Sequence, residues 1–180
     1  MRARRGFRRY FGRRQSESLY PSLINRQLTI RRSIEYLHLH PDCLLLDCTY
    51  KTNKFGIPLL HVAGIDSIGL TFTIAIFLLN QETESDYKWA ANIIKNLFPK
   101  GVFPSVIATD NEQALINAIR PLFPIIRTKM VLCYWYASKN VLTNCKRYFE
   151  TEERWEAFFN SFKAIVFCKT EDEFKDSITE

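Results

Sequence analysis

Three apolar runs follow one another in the first half of the chain, reading CLLLDCTYKT, IPLLHVAGID and LTFTIAIFLLN. Turn-forming residues separate them, in NKFG after the first run and in DSIG after the second. Short apolar runs bounded by Gly, Asn and Asp are typical of strands, and short connections favour antiparallel neighbours. The pattern therefore predicts a three-stranded antiparallel meander.

The spacing of apolar residues changes after the third run. ETESDYKWAANIIKNLF and NEQALINAIRPLF carry apolar residues at helical intervals, and acids occupy the first turn of the former segment. PSVIATD and TKMVLCYWY each predict a short strand, and the chain from about Ala137 onward predicts helices. The resulting order, β-β-β-α-β-α-β with extra C-terminal helices, is typical of an α/β fold with a mixed sheet.

The N-terminal part predicts two further segments. Residues 22–40 carry apolar residues loosely at helical spacing and end before Pro41, which predicts a lead-in helix. Residues 1–21 contain seven arginines and no acid before Glu17. Since the net charge of the whole chain is +6, the residues outside those seven arginines sum to −1. We therefore predict a flexible basic arm in front of a core that spans residues 41–180.

Three interpretations of the arm remain open. A cluster of like positive charges is typical of segments that contact nucleic acid or act as a nuclear address, and this interpretation assigns contacts to Arg4, Arg5, Arg8 and Arg9. Arg-rich and Ser-rich sequence without acids is also typical of a mitochondrial transit peptide. An incidental charged tail is the third interpretation.

Composition narrows the class of protein. With 180 residues, of which 47% are hydrophobic, the chain can bury one core. Its five cysteines form no Cys-x-x-Cys pair, which favours packed thiols in a reducing compartment over disulfides. No apolar run approaches the roughly 18 residues of a membrane span, so we expect a soluble, intracellular protein without membrane contact.

Two acids fall at predicted strand ends. Asp47 interrupts the first apolar run, in LLLDCTYKTN, and Asp110 ends the strand in SVIATDNEQAL. Burial of a carboxylate is costly unless hydrogen bonds or a metal compensate its charge. Asp110 or Asn111 could cap the next helix. If the two strands are parallel neighbours, both acids lie at one edge of the sheet, where oxygen ligands favour Mg²⁺ or Mn²⁺, used in pairs about 4 Å apart for phosphoryl displacement.

Several segments together resemble one family. LLLDCTYKTNKFGIPLLHVAGID, the TF and AIFLL of the next strand, DYKWA, PSVIATDNEQALINAI and LCYWYASKNV resemble the Mutator-like element (MULE) transposases, from about Asp42 to the C-terminus. The resemblance implies an RNase H-like fold with a DDE triad of acids, in which Asp47 is the first acid and Asp110 the second. It further implies a nuclear protein that binds DNA and uses Mg²⁺ or Mn²⁺ for DNA strand cleavage and transfer.

The sequence departs from the family pattern in two places. The family continues its LC-x-W strand into Cys-x-x-His, whereas here Tyr136 follows Cys133 at the histidine position. A phenol differs from an imidazole in basicity and hydrogen bonding, so we expect any ligand role of that position to be lost. The family's third acid is a Glu in a segment beyond this region, and the acids of the C-terminal helices lie opposite Trp155 and Phe159, as in a solvated face.

These departures define our expectations for activity. We expect a core that is truncated at the C-terminus, inactive by itself, with exposed apolar positions that favour self-association. A non-catalytic transposon-derived DNA-binding protein and a decaying fragment are the alternatives.

Three smaller signals accompany the acids. Lys51 and Asn53 follow Asp47 and are candidates for contact with a DNA phosphate or the scissile strand, although a Lys at a turn is usually only solvated. His61 lies in an alternating strand, which favours a hydrogen-bonded residue over a ligand. The aromatic residues 134–136 are typical either of a base-stacking surface or, more commonly, of the edge of a core.

Overall fold

The computed structural model describes residues 25–49 and 53–178. Where the sequence predicts one core over residues 41–180, the described residues form two compact units. The first unit comprises residues 25–107 and 112–129, and the second comprises residues 108–111 and 130–178. The predicted basic arm, with Arg4, Arg5, Arg8 and Arg9, and the candidate Lys51 lie outside the described residues.

The strands form one six-stranded mixed sheet. They are β1 (Arg26–Thr29), β2 (Cys43–Thr49), β3 (Leu59–Ile65), β4 (Thr71–Leu78), β5 (Val106–Thr109) and β6 (Lys129–Leu132). Their order across the sheet is β1-β4-β3-β2-β5-β6. Strands β2, β3 and β4 pair antiparallel in succession, which confirms the predicted meander. The predicted α/β class with a mixed sheet is confirmed as well.

Helices follow the strands in the predicted alternation. They are α1 (Arg31–Leu39), α2 (Glu84–Leu97), α3 (Gln113–Ile119), α4 (Tyr134–Cys145), α5 (Glu152–Phe167) and α6 (Glu171–Ser177), with a 3₁₀ turn at Lys146–Tyr148. Helix α2 begins where the Thr83 side chain accepts a hydrogen bond from the Asp86 N–H, and Asp86 in turn accepts one from the Gln81 N–H at 3.1 Å. The Thr83 cap satisfies one of the N–H groups that a helix start leaves without partners, and Asp86 ties the preceding loop to the helix.

Two predicted boundaries are wrong. The lead-in helix predicted over residues 22–40 occupies only Arg31–Leu39, because Arg26–Thr29 pairs antiparallel with β4 and the Thr29 hydroxyl donates to the Ile74 carbonyl at 2.8 Å. The strand predicted through Tyr136 ends at Leu132. The Cys133 N–H donates to the Thr109 carbonyl, and the Cys133 carbonyl accepts from the Ala137 N–H at 3.0 Å, so the helix begins earlier than the pattern predicts.

The core of the first unit is built from residues of the sheet and of the helices α2 and α3. Alternate residues of the strands are buried, and so are four residues of each of these two helices. Burial of each large aliphatic side chain stabilises the fold by about 1.5–3 kcal/mol relative to its exposed state. The buried set includes Leu44, Leu46, Leu60, Val62, Ile74, Phe77, Tyr87, Ala90, Ala91, Ile94, Leu115 and Ile119.

Aromatic packing holds the second unit together. Trp155 of α5 is only 5% exposed, and its ring centroid lies 5.2 Å from that of Phe159 and 5.6 Å from that of Phe149. Tyr134 of α4 stacks on Phe162 with a centroid separation of 6.4 Å. The acids of this region are exposed, as predicted: Glu150, Glu152, Glu153, Glu156, Glu171, Asp172 and Glu173. Three of them pair with nearby cations, at 2.6 Å for Glu152 with Lys146.

Two expectations concern the chain as a whole. The five cysteines are free, as the spacing predicts. Within residues 25–49 and 53–178, no helix combines the length and the apolar character needed to cross a membrane.

Candidate metal-binding residues

Asp47 lies near the C-terminal end of β2. Leu44 and Leu46 of the same strand are buried, and the alternation of a strand places Asp47 on the opposite face, where it is half-buried. In the ladder with β3, Asp47 is directly opposite His61. Directly opposite residues share a face, with Cβ atoms about 4.5–5.5 Å apart. The His61 side chain therefore lies on the same face of the sheet as the Asp47 carboxylate, on the neighbouring strand.

His61 is itself oriented by a third strand. Its Nε2 atom and the Thr73 hydroxyl of β4 form a hydrogen bond of 3.0 Å. The prediction that His61 is a hydrogen-bonded residue is confirmed. That contact joins β3 and β4 next to a bulge between Val62 and Ala63, where the register with β4 shifts.

Cys48, the residue after Asp47, lies on the core side of β2, next to Tyr87 of α2. Burial of the Tyr87 hydroxyl, and the neighbouring Cys48 thiol, raise the pKa of Tyr87 far above its ordinary value. The Tyr87 side chain is fully buried, and its hydroxyl makes no well-formed hydrogen bond. The strand that carries Asp47 is thus anchored over a phenol that stays neutral. Sequence patterns do not reveal this pair, because it arises from packing between a strand and a helix.

Asn53 fixes the loop that follows β2. Its carboxamide oxygen accepts hydrogen bonds from the N–H groups of Phe55 at 3.1 Å and Ile57 at 3.2 Å, and its nitrogen donates to the Ile57 carbonyl at 2.6 Å. Gly56 adopts φ +66° in the same turn, a conformation that side chains disfavour. The amide of Asn53 therefore serves the backbone of its own loop.

Asp110 directly follows β5. The Thr109 hydroxyl donates to its carboxylate at 3.3 Å. The alternative that Asp110 or Asn111 caps α3 is wrong, because the N-cap residue is Glu112, whose carboxylate accepts from the Ala114 N–H at 3.2 Å. The cap of α3 is therefore provided by Glu112 and not by Asp110. The sequence contained the signal for this cap, an acid directly before the helical pattern.

The structure places the two predicted ligands in different units, Asp47 in the first and Asp110 in the second. Their strands, β2 and β5, are neighbours in the order of the sheet. In the part of the chain that the structure describes, no group of three or more His, Cys, Asp or Glu side chains is arranged to hold a metal. Asp47 and Asp110 each supply carboxylate oxygens, the ligand type that Mg²⁺ prefers.

The two residues at the family's Cys-x-x-His position lie at the start of α4. Cys133 is the residue before the helix and is half-buried, and its side chain makes no capping hydrogen bond. The Tyr136 ring packs edge-on against Trp135, with centroids 4.9 Å apart. Their geometry is that of a helix start in which the Tyr side chain contacts an aromatic neighbour.

A protein-family comparison gives a direct match. The model described as "MULE transposase domain" matches residues 43–140, more than half of the chain. The match begins at β2 and ends within α4, so it contains Asp47, Asp110, Cys133 and Tyr136.

Curated proteins also resemble this chain. It is 34% identical over 125 residues to "PKS-NRPS hybrid synthetase cheA" of Chaetomium globosum, covering 68% of this chain and 3% of that protein. It is 30% identical over 83 residues to "Protein FAR1-RELATED SEQUENCE 6" of Arabidopsis thaliana, covering 46% of this chain and 12% of that protein. "Protein FAR1-RELATED SEQUENCE 5" of the same plant is 24% identical over 135 residues, or 74% of this chain and 16% of that protein. The chain spans at most 16% of these relatives.

Proposed function

The chain belongs to the MULE transposase domain family, and from that premise we propose that it is the N-terminal portion of a transposase catalytic domain that acts on DNA with Mg²⁺ or Mn²⁺. The single observation that carries the proposal is the strand order. β5, which ends directly before Asp110, is the neighbour of β2, which carries Asp47. Ligands of α/β sheets gather at the carboxyl ends of such strands.

We propose that the sheet has the RNase H-like arrangement. In its support, the three meander strands stand in the order β4-β3-β2, and the next two strands, β5 and β6, continue on the far side of β2. Helix α2 connects the two groups, and α3 connects β5 to β6. Strand β1 is an addition at the β4 edge.

We assign Asp47 and Asp110 as two of the three acids of a DDE site, and assign the third acid to no residue of this chain. A bound divalent cation would neutralise phosphate charge and lower the pKa of a water for attack on a phosphodiester. The chain's own contributions are carboxylate oxygens from two strand ends, with His61 beside the first. With only two acids assigned, we expect cation binding but no turnover by this chain alone.

If DNA is the substrate, the location of the protein and its phosphate contacts follow. Because transposition acts on chromosomal DNA, we propose a nuclear location. We propose that Arg4, Arg5, Arg8, Arg9 and Lys51 contact DNA phosphates, which predicts an affinity that falls steeply with salt. Self-association through exposed apolar side chains is part of the same proposal.

Titration of the full chain with Mg²⁺ and Mn²⁺ tests the site. The variants are Asp47→Asn and Asp110→Asn, which keep side-chain shape and remove the charge, and Asp172→Asn is the control, because Asp172 lies exposed on α6. Calorimetry and Mn²⁺ relaxation should show binding to the parent and the control, and both test variants should weaken it about ten-fold or more. Equal binding by all four proteins would overturn the metal assignment.

One observation favours the second candidate function, a non-catalytic DNA-binding protein derived from a transposase. Tyr136 stands where the resemblance calls for a histidine, and it packs on Trp135. DNA binding that survives EDTA and the loss of both acids, combined with no metal binding, would support this second function over the first.

A further inference from the structure

One helical segment of the second unit lacks acids. Residues 134–148, which comprise α4 and the 3₁₀ turn, contain Lys139, Lys146 and Arg147 and neither Asp nor Glu. The neighbouring helices α5 and α6 both begin with acids. No residue of α4 is fully buried. Lys139 of α4 and Arg147 of the 3₁₀ turn are both exposed, so this acid-free segment presents positive charge to solvent.

Two exposed aromatic rings on this segment each carry an adjacent cation. Trp135 is 58% exposed, and the Lys139 ammonium, one turn later, lies 4.8 Å from its ring centroid. Tyr148 is 74% exposed, and the Arg147 guanidinium lies 4.9 Å from its ring centroid and donates to its hydroxyl at 3.0 Å. A cation beside an exposed ring is the combination that binds a base and its phosphate together.

The third cation has a different role. The Lys146 ammonium forms an ion pair of 2.6 Å with Glu152 and lies over the ring of buried Trp155. Its charge is therefore partly neutralised within the unit. Within the part of the chain that the structure describes, neither Lys139 nor Arg147 forms an ion pair.

Packing of α4 uses another side of the helix. Tyr134 contacts Phe162 and Phe167 of α5, with centroid separations of 6.4 Å and 4.7 Å. Trp135 contacts only its neighbours Tyr136 and Lys139 among the ring contacts recorded for the described residues. A large indole that contributes little to packing is available to a ligand.

We propose that the exposed pair Trp135 and Lys139 on α4, together with the second ring–cation pair Arg147 and Tyr148 farther along the same segment, binds an unpaired DNA strand by base stacking and phosphate contact. The proposal rests on the proposed function, since DNA is the polyanion that a transposase handles. An unpaired strand fits better than a duplex, because bases present their faces to an aromatic ring only when they leave the double helix. Each pair offers a ring for a base and a cation for a phosphate, and no acid of residues 134–148 opposes the phosphate charge.

The test measures binding of the full chain to oligo(dT) and to a duplex of equal length, with EDTA present. Trp135→Ala should weaken oligo(dT) binding about ten-fold or more and duplex binding less than about two-fold, and Trp135→Phe should keep most of the affinity. Phe174→Ala is the matched control, because Phe174 is 42% exposed on a helix that begins with acids, and it should bind like the parent.

A second pair of variants tests the cation. Lys139→Gln should weaken oligo(dT) binding about two- to five-fold. Lys163→Gln is its control, since Lys163 also lies 4.8 Å from a ring centroid, that of Phe159, but on α5. Equal losses in the two variants would overturn the assignment to α4.

Fluorescence separates this surface from the N-terminal arginines. The chain has three tryptophans, and Trp135 is more exposed than Trp155, which is 5% exposed. Oligo(dT) should quench the emission of the parent and of Trp89→Phe, but not that of Trp135→Phe. Unchanged oligo(dT) affinity in Trp135→Ala would overturn the proposal. If the affinity is unchanged but analytical ultracentrifugation shows that Trp135→Ala alters self-association, Trp135 instead forms a contact between copies of the chain. Because EDTA is present, failure of the metal site does not affect these results.

Discussion

Asp47 lies directly opposite His61 in the antiparallel ladder between β2 and β3. His61 is hydrogen-bonded at 3.0 Å to Thr73 of β4. Three strands of the meander thus contribute to the surroundings of the proposed first acid. His61 could act as a structural hydrogen-bonding residue or as a metal ligand. Its Nε2 atom already contacts Thr73 within the sheet, which favours the structural role.

The His61–Thr73 contact should be measurable as a coupling energy. We expect His61→Ala and Thr73→Ala each to lower the free energy of unfolding, and the double variant to cost less than their sum by about 0.5–1 kcal/mol, as for a partly solvated hydrogen bond. Urea unfolding of the four proteins gives this value. In Mg²⁺ titrations, His61→Ala should retain more affinity than Asp47→Asn. If it lost as much, His61 would itself be a ligand.

Asp110 and Glu112 should respond oppositely in two assays. Glu112→Ala removes the cap of α3, so it should lower the free energy of unfolding by about 0.5–2 kcal/mol and leave Mn²⁺ affinity nearly unchanged. Asp110→Asn should cost less stability and weaken Mn²⁺ binding. Urea unfolding and Mn²⁺ relaxation on the same samples check both. If Asp110→Asn instead lowered the free energy of unfolding and left Mn²⁺ affinity unchanged, Asp110 would have a structural role.

The sequence predicted the meander and α2 well, because alternation, turn residues and helical spacing are local signals that packing reinforces. It missed β1, a mostly exposed edge strand of four residues that pairs with β4. It extended the strand of β6 too far, since the aromatic residues 134–136 favour strands by propensity. There the structure shows a helix, because the Cys133 carbonyl accepts from the Ala137 N–H.

The candidate site, like the fold, could be predicted from the sequence only in part. The positions of Asp47 and Asp110 at strand ends were predictable, because each acid interrupts a local apolar pattern. The neighbours His61 and Tyr87 were not assigned to the surroundings of β2, since their approach depends on strand register and on helix packing. Long-range relationships of this kind have no signature in a single sequence.

Tyr87 should make stability fall at alkaline pH. Burial raises its folded-state pKa above the unfolded value of about 10, so the folded and unfolded chains hold the same proton below that pH. Above it the unfolded state loses the proton first, and the stability from this group is lost as pH rises. Tyr87→Phe should match or exceed the parent at pH 7, since the buried hydroxyl makes no well-formed hydrogen bond. Its free energy of unfolding should also decline less between about pH 9 and 11. Parallel declines in urea unfolding would contradict this.

Gly64 should accept no side chain while Phe72 is present. A Cβ atom at position 64 would lie 2.5 Å and 2.8 Å from two ring atoms of Phe72, whose ring also packs edge-on against Tyr36 at 4.9 Å. We expect Gly64→Ala to lower the free energy of unfolding by about 1–3 kcal/mol, as for overpacking, and Phe72→Leu to relieve part of that loss. The control is Gly56→Ala, where no atom lies within 4 Å but φ is +66°, so its cost comes from the backbone and Phe72→Leu should not reduce it. Additive losses for Gly64→Ala and Phe72→Leu in urea unfolding would mean that the ring moves aside freely, and the packing of β3 against β4 would then be looser than these distances imply.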